Sequence, residues 1–291
     1  MLRLPRRALH APAMARLRGC TTPVIVIDLL RDGPGAIDFR DAAMENPLAT
    51  RVTALAPPVG IPSVLLGDPQ LGELECIIVS EHASAEQAHE SLSSRASDVF
   101  DDGSLSLLAT AMPEFAGVQR LGDEPPEPPA LDGRRRRPSD APFRDEPGAD
   151  PAAWDALLSV PAEPMLAFNL IRYPQPEPAA YRAYAQHFAP LPARYGMRLV
   201  AAGALSPDPR EAVLAGDVRA AEELGLASHD LFVLAFFPST RAFLHAWSDP
   251  ELVRAAYPLR APMREDGFRH VWLRGHDLAG PHMFTLPDPD P

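Results

Sequence analysis

MLAFNLIRY (165–173), AAYRAYAQHFAPLPARYG (179–196), MRLVAAGAL (197–205), LFVLAFF (231–237), TRAFLHAWSDPELVRAAYPLRA (240–261) and FRHVWLRG (268–275) are the segments on which the fold turns. Four are short apolar runs of strand length, and two carry apolar residues at helical spacing. Tyr181, Tyr184, Phe188 and Leu191 share one helix face at i, i+3, i+7 and i+10. Asp249-Pro250 restarts the second helix, with aspartate as N-cap and proline as first helical residue. The order is β-α-β-β-α-β, the split-βαβ arrangement. Its two helices cover one sheet face, so the other face needs a second layer.

That layer is available upstream. TPVIVIDLL (22–30), a helix near 38–56, PSVLLGD (62–68), LECIIVSEH (74–82), a helix over 85–100 and SLSLLATAM (104–112) repeat the same order. Ser84 opens a capping box with Gln87, and Ser239 holds the matching place in the second half. The reading is α+β: tandem ferredoxin-like units forming a pseudo-dimeric α/β barrel, the first a degenerate copy of the second. The expected division is a disordered tail (1–21), unit 1 (22–116), a linker (117–160), unit 2 (161–276) and a C-terminal tail (277–291). Met14 is read as the initiator if the start is overlong. Residues 120–150 mix proline, acidic residues and the run Arg134–Arg137, a composition that buries too little apolar surface to fold. Residues 207–229, rich in Ala, Asp and Glu, are expected to add a helix between the central strands.

A net charge of −12 argues against nucleic acid and against anionic membrane. No stretch has the roughly 20 apolar residues that span a bilayer. All 27 basic residues are arginine, which removes lysine Schiff bases and a phosphate-loop lysine. Cys20 and Cys76 form neither a metal pattern nor a disulfide framework, and a reducing, cytoplasmic setting is expected. The histidines show no HExxH or H-x-H spacing, and no glycine-rich phosphate loop or GxSxG elbow is present.

Asn169-Leu170-Ile171-Arg172-Tyr173, Tyr181-x-x-Tyr184, Arg194-Tyr195-Gly196, Phe237-Pro238-Ser239-x-x-Ala242-Phe243 and Asp249-Pro250-Glu251 through Arg260 carry a resemblance over about 110 residues. The second half resembles the dimeric α/β-barrel superfamily, and within it the domain-of-unknown-function 1330 type family. Leu252 and Leu259 depart from the aromatic and the histidine of that pattern. The resemblance implies a small-molecule protein. The superfamily includes cofactor-free monooxygenases, isomerases and haem enzymes, so fold alone does not choose a reaction.

All tyrosines and tryptophans follow residue 150, which places the expected pocket in unit 2. Leu166, Phe168 and Leu170 are expected to face the helices, turning Asn169 toward the lumen to orient a substrate oxygen or to serve as a bonded structural amide. Tyr184 and His187 are neighbours at i, i+3, placed to move protons or simply to pack. Arg260 either binds a substrate carboxylate or complements a helix C-terminus. His270 and Trp272 share a face of the last strand. The expected set is thus Tyr184, His187 and His270 as catalytic, with Asn169, Arg260, Trp272 and Tyr181 as substrate-binding. The expected chemistry is cofactor-free oxygenation or isomerisation of a hydrophobic, oxygenated molecule. The alternatives are a non-catalytic binding protein and a haem protein. A monomeric pseudo-dimer or a homodimer is expected.

Overall fold

The computed structural model describes residues 9–31, 35–56, 64–66, 74–94, 104–112, 142–145, 149–159, 164–172, 179–187, 194–223, 229–264 and 268–275. The first unit supplies strands β1 (Val24–Arg31), β2 (Arg51–Ala56), β3 (Val64–Leu66), β4 (Leu74–His82) and β5 (Leu105–Ala111). The second supplies β6 (Met165–Ile171), β7 (Arg198–Ala204), β8 (Val213–Ala215), β9 (Leu231–Phe237) and β10 (Phe268–Gly275). Helices α1 (Ala11–Arg18), α2 (Ala36–Met44) and α3 (Ala85–Ser94) belong to the first unit, and α4 (Pro151–Ser159) and α5 (Ala179–Gln186) to the second. Short α6 (Pro209–Ala212) and α7 (Val218–Glu223) flank β8, and α8 (Thr240–Trp247) and α9 (Pro250–Arg264) lie between β9 and β10.

Each unit has the same strand order, β5–β1–β4–β2 and β10–β6–β9–β7. The pairs β2–β10 and β5–β7 join the units, so eight strands close on themselves with every neighbour antiparallel. Closure removes the open sheet edges that would otherwise invite pairing with another chain. The two seams match residue by residue. At one, His270 and Val271 pair with Leu66 and Val64 across an irregularity, and then Arg274 and Gly275 pair with Ala56 and Leu55. At the other, Ser106 and Leu107 pair with Ala215 and Val213 across an irregularity, and then Thr110 and Ala111 pair with Ala204 and Gly203. Gly203 is required there, because a Cβ would stand 2.9 Å from Phe232 Cε1 and 3.0 Å from Thr110 O.

The barrel interior is apolar and filled. Ile25, Ile27 and Leu29 of β1 meet Leu166, Phe168 and Leu170 of β6, with Phe232, Leu234 and Phe236 of β9. An eight-stranded barrel is just wide enough for its own side chains. One expectation is therefore reversed: Leu166, Phe168 and Leu170 face the lumen, while Met165, Ala167 and Ile171 face the helices. Both faces of β6 are buried, so alternation gave no polar side to orient it.

Other corrections concern segments expected to be loose or helical. The helix expected over 38–56 ends at Met44, Asn46-Pro47 breaks it, and β-branched Val52 and Thr53 continue as β2. β3 lies within the strand expected over 62–68 and pairs with β10, while β2 takes the place beside β4. Within the expected tail, α1 buries Ala13, Met14 and Leu17, and Arg16 donates to Leu108 O and Ala204 O, both at 3.1 Å. Within the expected linker, a turn at Pro142–Asp145 buries Phe143, and α4 buries Ala153, Trp154 and Leu157. Residues 113–141, which include Arg134–Arg137, and 276–291 lie outside the described residues. The extra helix expected in 207–229 is present as the pair α6 and α7 around β8.

Candidate functional site

Two surfaces of the second sheet are available for chemistry, and they differ sharply. The lumen side has the close-packed apolar filling described above. At one mouth, Arg51 and Glu81 are register partners on the same face as Val79 and Ile77. Arg51 Nη1 lies 3.0 Å from Val200 O, at the irregularity in β7, and 4.0 Å from Glu81 Oε1. An arginine from the first unit thus reaches across the barrel end to the second. Periodicity does not reveal this contact, because it depends on closure of the barrel.

The helix side of the same sheet combines aromatic bulk with a few polar groups. Trp154 of α4 stacks on Phe243 of α8 at 5.7 Å, and Phe143 meets Trp247 and Tyr257 edge-on at 4.6 and 5.1 Å. Tyr184 of α5 is buried in this layer. Asn169 lies between Ala167 and Ile171 on β6 and is therefore on this side rather than in the lumen. Its Nδ2 donates to Ala167 O at 3.2 Å and Val233 O at 3.3 Å. Two carbonyls fix which way the amide is turned, since a flip would set oxygen against oxygen. Its Oδ1 is directed away from them and accepts no hydrogen bond among the described residues. Trp154 Nε1 is buried and makes no hydrogen bond among the described residues.

The register brings other expected residues to this face. His270 pairs with Asn169 and Trp272 with Ala167, so both occupy positions on the helix side. Their side chains, with those of Tyr181 and Arg260, lie outside the described residues. His187 is half-buried just beyond α5, and its N–H bonds Tyr184 O at 3.1 Å.

Several residues that carried the family resemblance form a structural joint. Asp249 caps α9, accepting from Glu251 N at 2.8 Å and Leu252 N at 3.2 Å. The Tyr195 hydroxyl also donates to its carboxylate, and Arg194 sits 3.4 Å away. Burial opposes ionisation, but Tyr195, the two backbone N–H groups and Arg194 together hold Asp249 below the usual aspartate range. Arg194 also pairs with Glu251 at 2.6 Å. Gly196 follows with a positive φ of 69°. Ser239 likewise caps α8 through Ala242 N at 3.0 Å. These motif positions fix where the helices begin and touch no candidate polar group.

No cluster of metal-ligating side chains exists among the described residues, and no described helix is long and apolar enough to cross a membrane. A haem iron needs an inward-facing axial ligand such as histidine. Buried His82 is instead at the end of β4 in the first unit, 3.1 Å from Leu48 O, and buried His229 precedes β9 in other contacts.

No protein-family model matches the chain, and no curated protein matches it in sequence. Among solved structures it is similar to a candidate monooxygenase from Lactobacillus acidophilus, at 10% identity over 87% of this chain and 93% of that one, TM-score 0.45. A candidate monooxygenase from Fusobacterium nucleatum gives 10% identity over 87% and 92%, TM-score 0.45. A chlorite dismutase variant from Candidatus Nitrospira defluvii gives 11% over 92% and 97%, TM-score 0.39. Likenesses this distant carry no functional argument. The assignment to two ferredoxin-like units closed into one pseudo-dimeric barrel rests on the strand pairing itself.

Proposed function

We propose that the second unit binds an apolar small molecule bearing a hydroxyl or enol group, between its sheet and its helices, and acts on it as a cofactor-free enzyme. The observation that carries this reading is Asn169, a buried residue in an aromatic layer whose Nδ2 is held by two carbonyls and whose Oδ1 accepts from no described residue. Such an acceptor would take the ligand O–H, at a site where leaving it unpaired is costly. Tyr184 and His187 would move a proton, with His270 beside Asn169 in register, and Tyr181, Trp272 and Arg260 would line the ligand. In isomerisation, a proton leaves one carbon and returns to another, through an enolate held by hydrogen bonds. In oxygenation, dioxygen is the oxidant: a CH2 group and O2 give a carbonyl and water. The one-to-one register of the seams, and Asp28-Leu29-Leu30-Arg31 standing where Asn169-Leu170-Ile171-Arg172 stands, support reading the units as copies of one ancestor.

The test is a fluorescence titration with 2-naphthol, an apolar hydroxyl donor. Asn169→Leu is expected to weaken binding about tenfold, the value of one lost hydrogen bond to a buried acceptor. Tyr184→Phe should leave binding in place. Absence of 2-naphthol binding, or equal binding by Asn169→Leu, overturns the site. Binding without turnover of any enolisable substrate under oxygen favours a carrier. A Soret band on adding haemin that is lost in His270→Ala favours haem.

A further inference from the structure

The barrel mouth opposite Arg51 carries two arginines whose guanidinium groups find no partner among the described residues. Arg16, Arg40, Arg51, Arg144 and Arg198 are half-buried, and each holds a carboxylate or a carbonyl. Arg31 and Arg172 are also half-buried. Neither guanidinium makes a hydrogen bond or ion pair among the described residues. Arg31 uses only its backbone N–H, on Ser104 Oγ at 3.0 Å, and its Nε is buried without a partner. Scarcity of carboxylates is no explanation in a chain with 39 acidic residues against 27 arginines.

The two are also equivalent. Asp28 pairs with Ser106 and Asn169 with His270, and Ser106 and His270 hold matching places at the two seams. Counting three residues on from Asp28 and from Asn169 reaches Arg31 and Arg172. All neighbours in the barrel are antiparallel, so strand direction alternates around it. β1 and β6 are four strands apart by either path; they run the same way and end at the same mouth. Alternation places both arginines on the interior side, after Leu29 and after Leu170. The pairing of β1 with β4 has an irregularity at Leu30/Arg31, yet Arg31 Nε is still shielded from solvent.

We propose that Arg31 and Arg172 together bind a divalent oxyanion at this mouth of the barrel. Guanidinium groups grip carboxylate and phosphate oxygens with paired, charge-assisted hydrogen bonds. Two of them facing one opening match a ligand with two negative charges. Either a phosphate held between them or a dicarboxylate spanning them meets that requirement. The site is separate from the Asn169 face and does not depend on it.

Calorimetric titration at low ionic strength with inorganic phosphate, and separately with glutarate, tests the proposal. Binding of phosphate alone identifies a single-centre anion, and binding of glutarate alone a spanning one. Arg31→Ala and Arg172→Ala should each weaken binding about tenfold or more, as expected for loss of a charge-assisted contact. Arg254→Ala, which removes the same charge from an exposed site on α9, should change nothing, and Asn169→Leu should still bind. Should Arg31→Ala not fold, Arg31→Lys replaces it, keeping the charge and losing the paired geometry. The bound anion should also raise the unfolding temperature of the native protein and not of Arg172→Ala. Failure of both anions to bind, or equal weakening by Arg254→Ala, overturns the proposal.

Discussion

The two units share a strand order, a pair of matching seams and a leading helix with the same buried spacing, yet they are filled differently. Ala13, Met14 and Leu17 of α1 answer Ala153, Trp154 and Leu157 of α4. Around α1 the layer is aliphatic, with Val24, Val26, Leu108 and Leu214. Around α4 it is aromatic, with Phe143, Phe243 and Trp247. On the first strand, the same position is buried Asp28 in one unit and buried Asn169 in the other. Backbone register can thus be kept while side-chain chemistry diverges, because the ladder hydrogen bonds are made by groups every residue carries. The aromatic layer sets ring faces beside the Asn169 amide, so a search for a small-molecule site belongs in the second unit.

The sharpest way to break this comparison is to truncate the equivalent residues. Trp154→Ala is expected to cost about 3–5 kcal/mol and Met14→Ala about 2–5 kcal/mol, with tryptophan the larger because it leaves the bigger void. Denaturant unfolding midpoints measure both. A negligible effect of Met14→Ala would show that α1 is not part of the first unit's core.

A second test concerns the seams. Arg16 bonds one carbonyl from each unit across the β5–β7 seam, and Ala156 takes its place in α4. Burial works against the Arg16 charge, partly offset by Cys20 and Glu211. Arg16→Ala leaves two carbonyls without their donor and is expected to cost about 1–3 kcal/mol. Hydrogen exchange should quicken in β5 and β7 and stay unchanged in β2. Uniform quickening would mean the two seams open together.

The smallest expected effect is electrostatic and confined to the second unit. Asp249 has its pKa depressed in the folded state, so its contribution to stability is present above about pH 4, the ordinary aspartate value. That contribution falls away as pH drops through the lower folded value. Asp249→Asn keeps a capping side chain and removes the charge. Its unfolding temperature should therefore change less than that of the native protein between about pH 5 and pH 2, a difference worth about 0.3–1 kcal/mol for a charge at a helix N-terminus. Parallel pH curves for the two proteins would remove the charge from the account.

The candidate site was only partly legible. Aromatic asymmetry pointed to the second unit, and Asn169, His270 and Trp272 do share one sheet face. Which face that is was misread, since β6 is apolar on both sides and the strand pattern alone has no inside or outside. The motif residues Arg194, Tyr195, Ser239 and Asp249 attracted attention through their resemblance, and they serve as caps and a joint. The equivalence of Asp28-Leu29-Leu30-Arg31 with Asn169-Leu170-Ile171-Arg172 lies in plain view in the chain. It carries meaning only once the seams supply the register.

By itself the sequence determined element order, the split-βαβ character of each half, the helix starts at Ser84, Ser239 and Asp249, and an acidic, lysine-free surface. These are local matters of periodicity, capping chemistry and composition. Tertiary structure alone decided that β2 and β3 act as one interrupted strand along β10, and that α1 and α4 belong to the core. It also decided that the lumen is filled and that, among the described residues, the guanidinium groups of Arg31 and Arg172 find no partner. Each of these depends on contacts between residues far apart in sequence, whose free energy exists only after the barrel has closed.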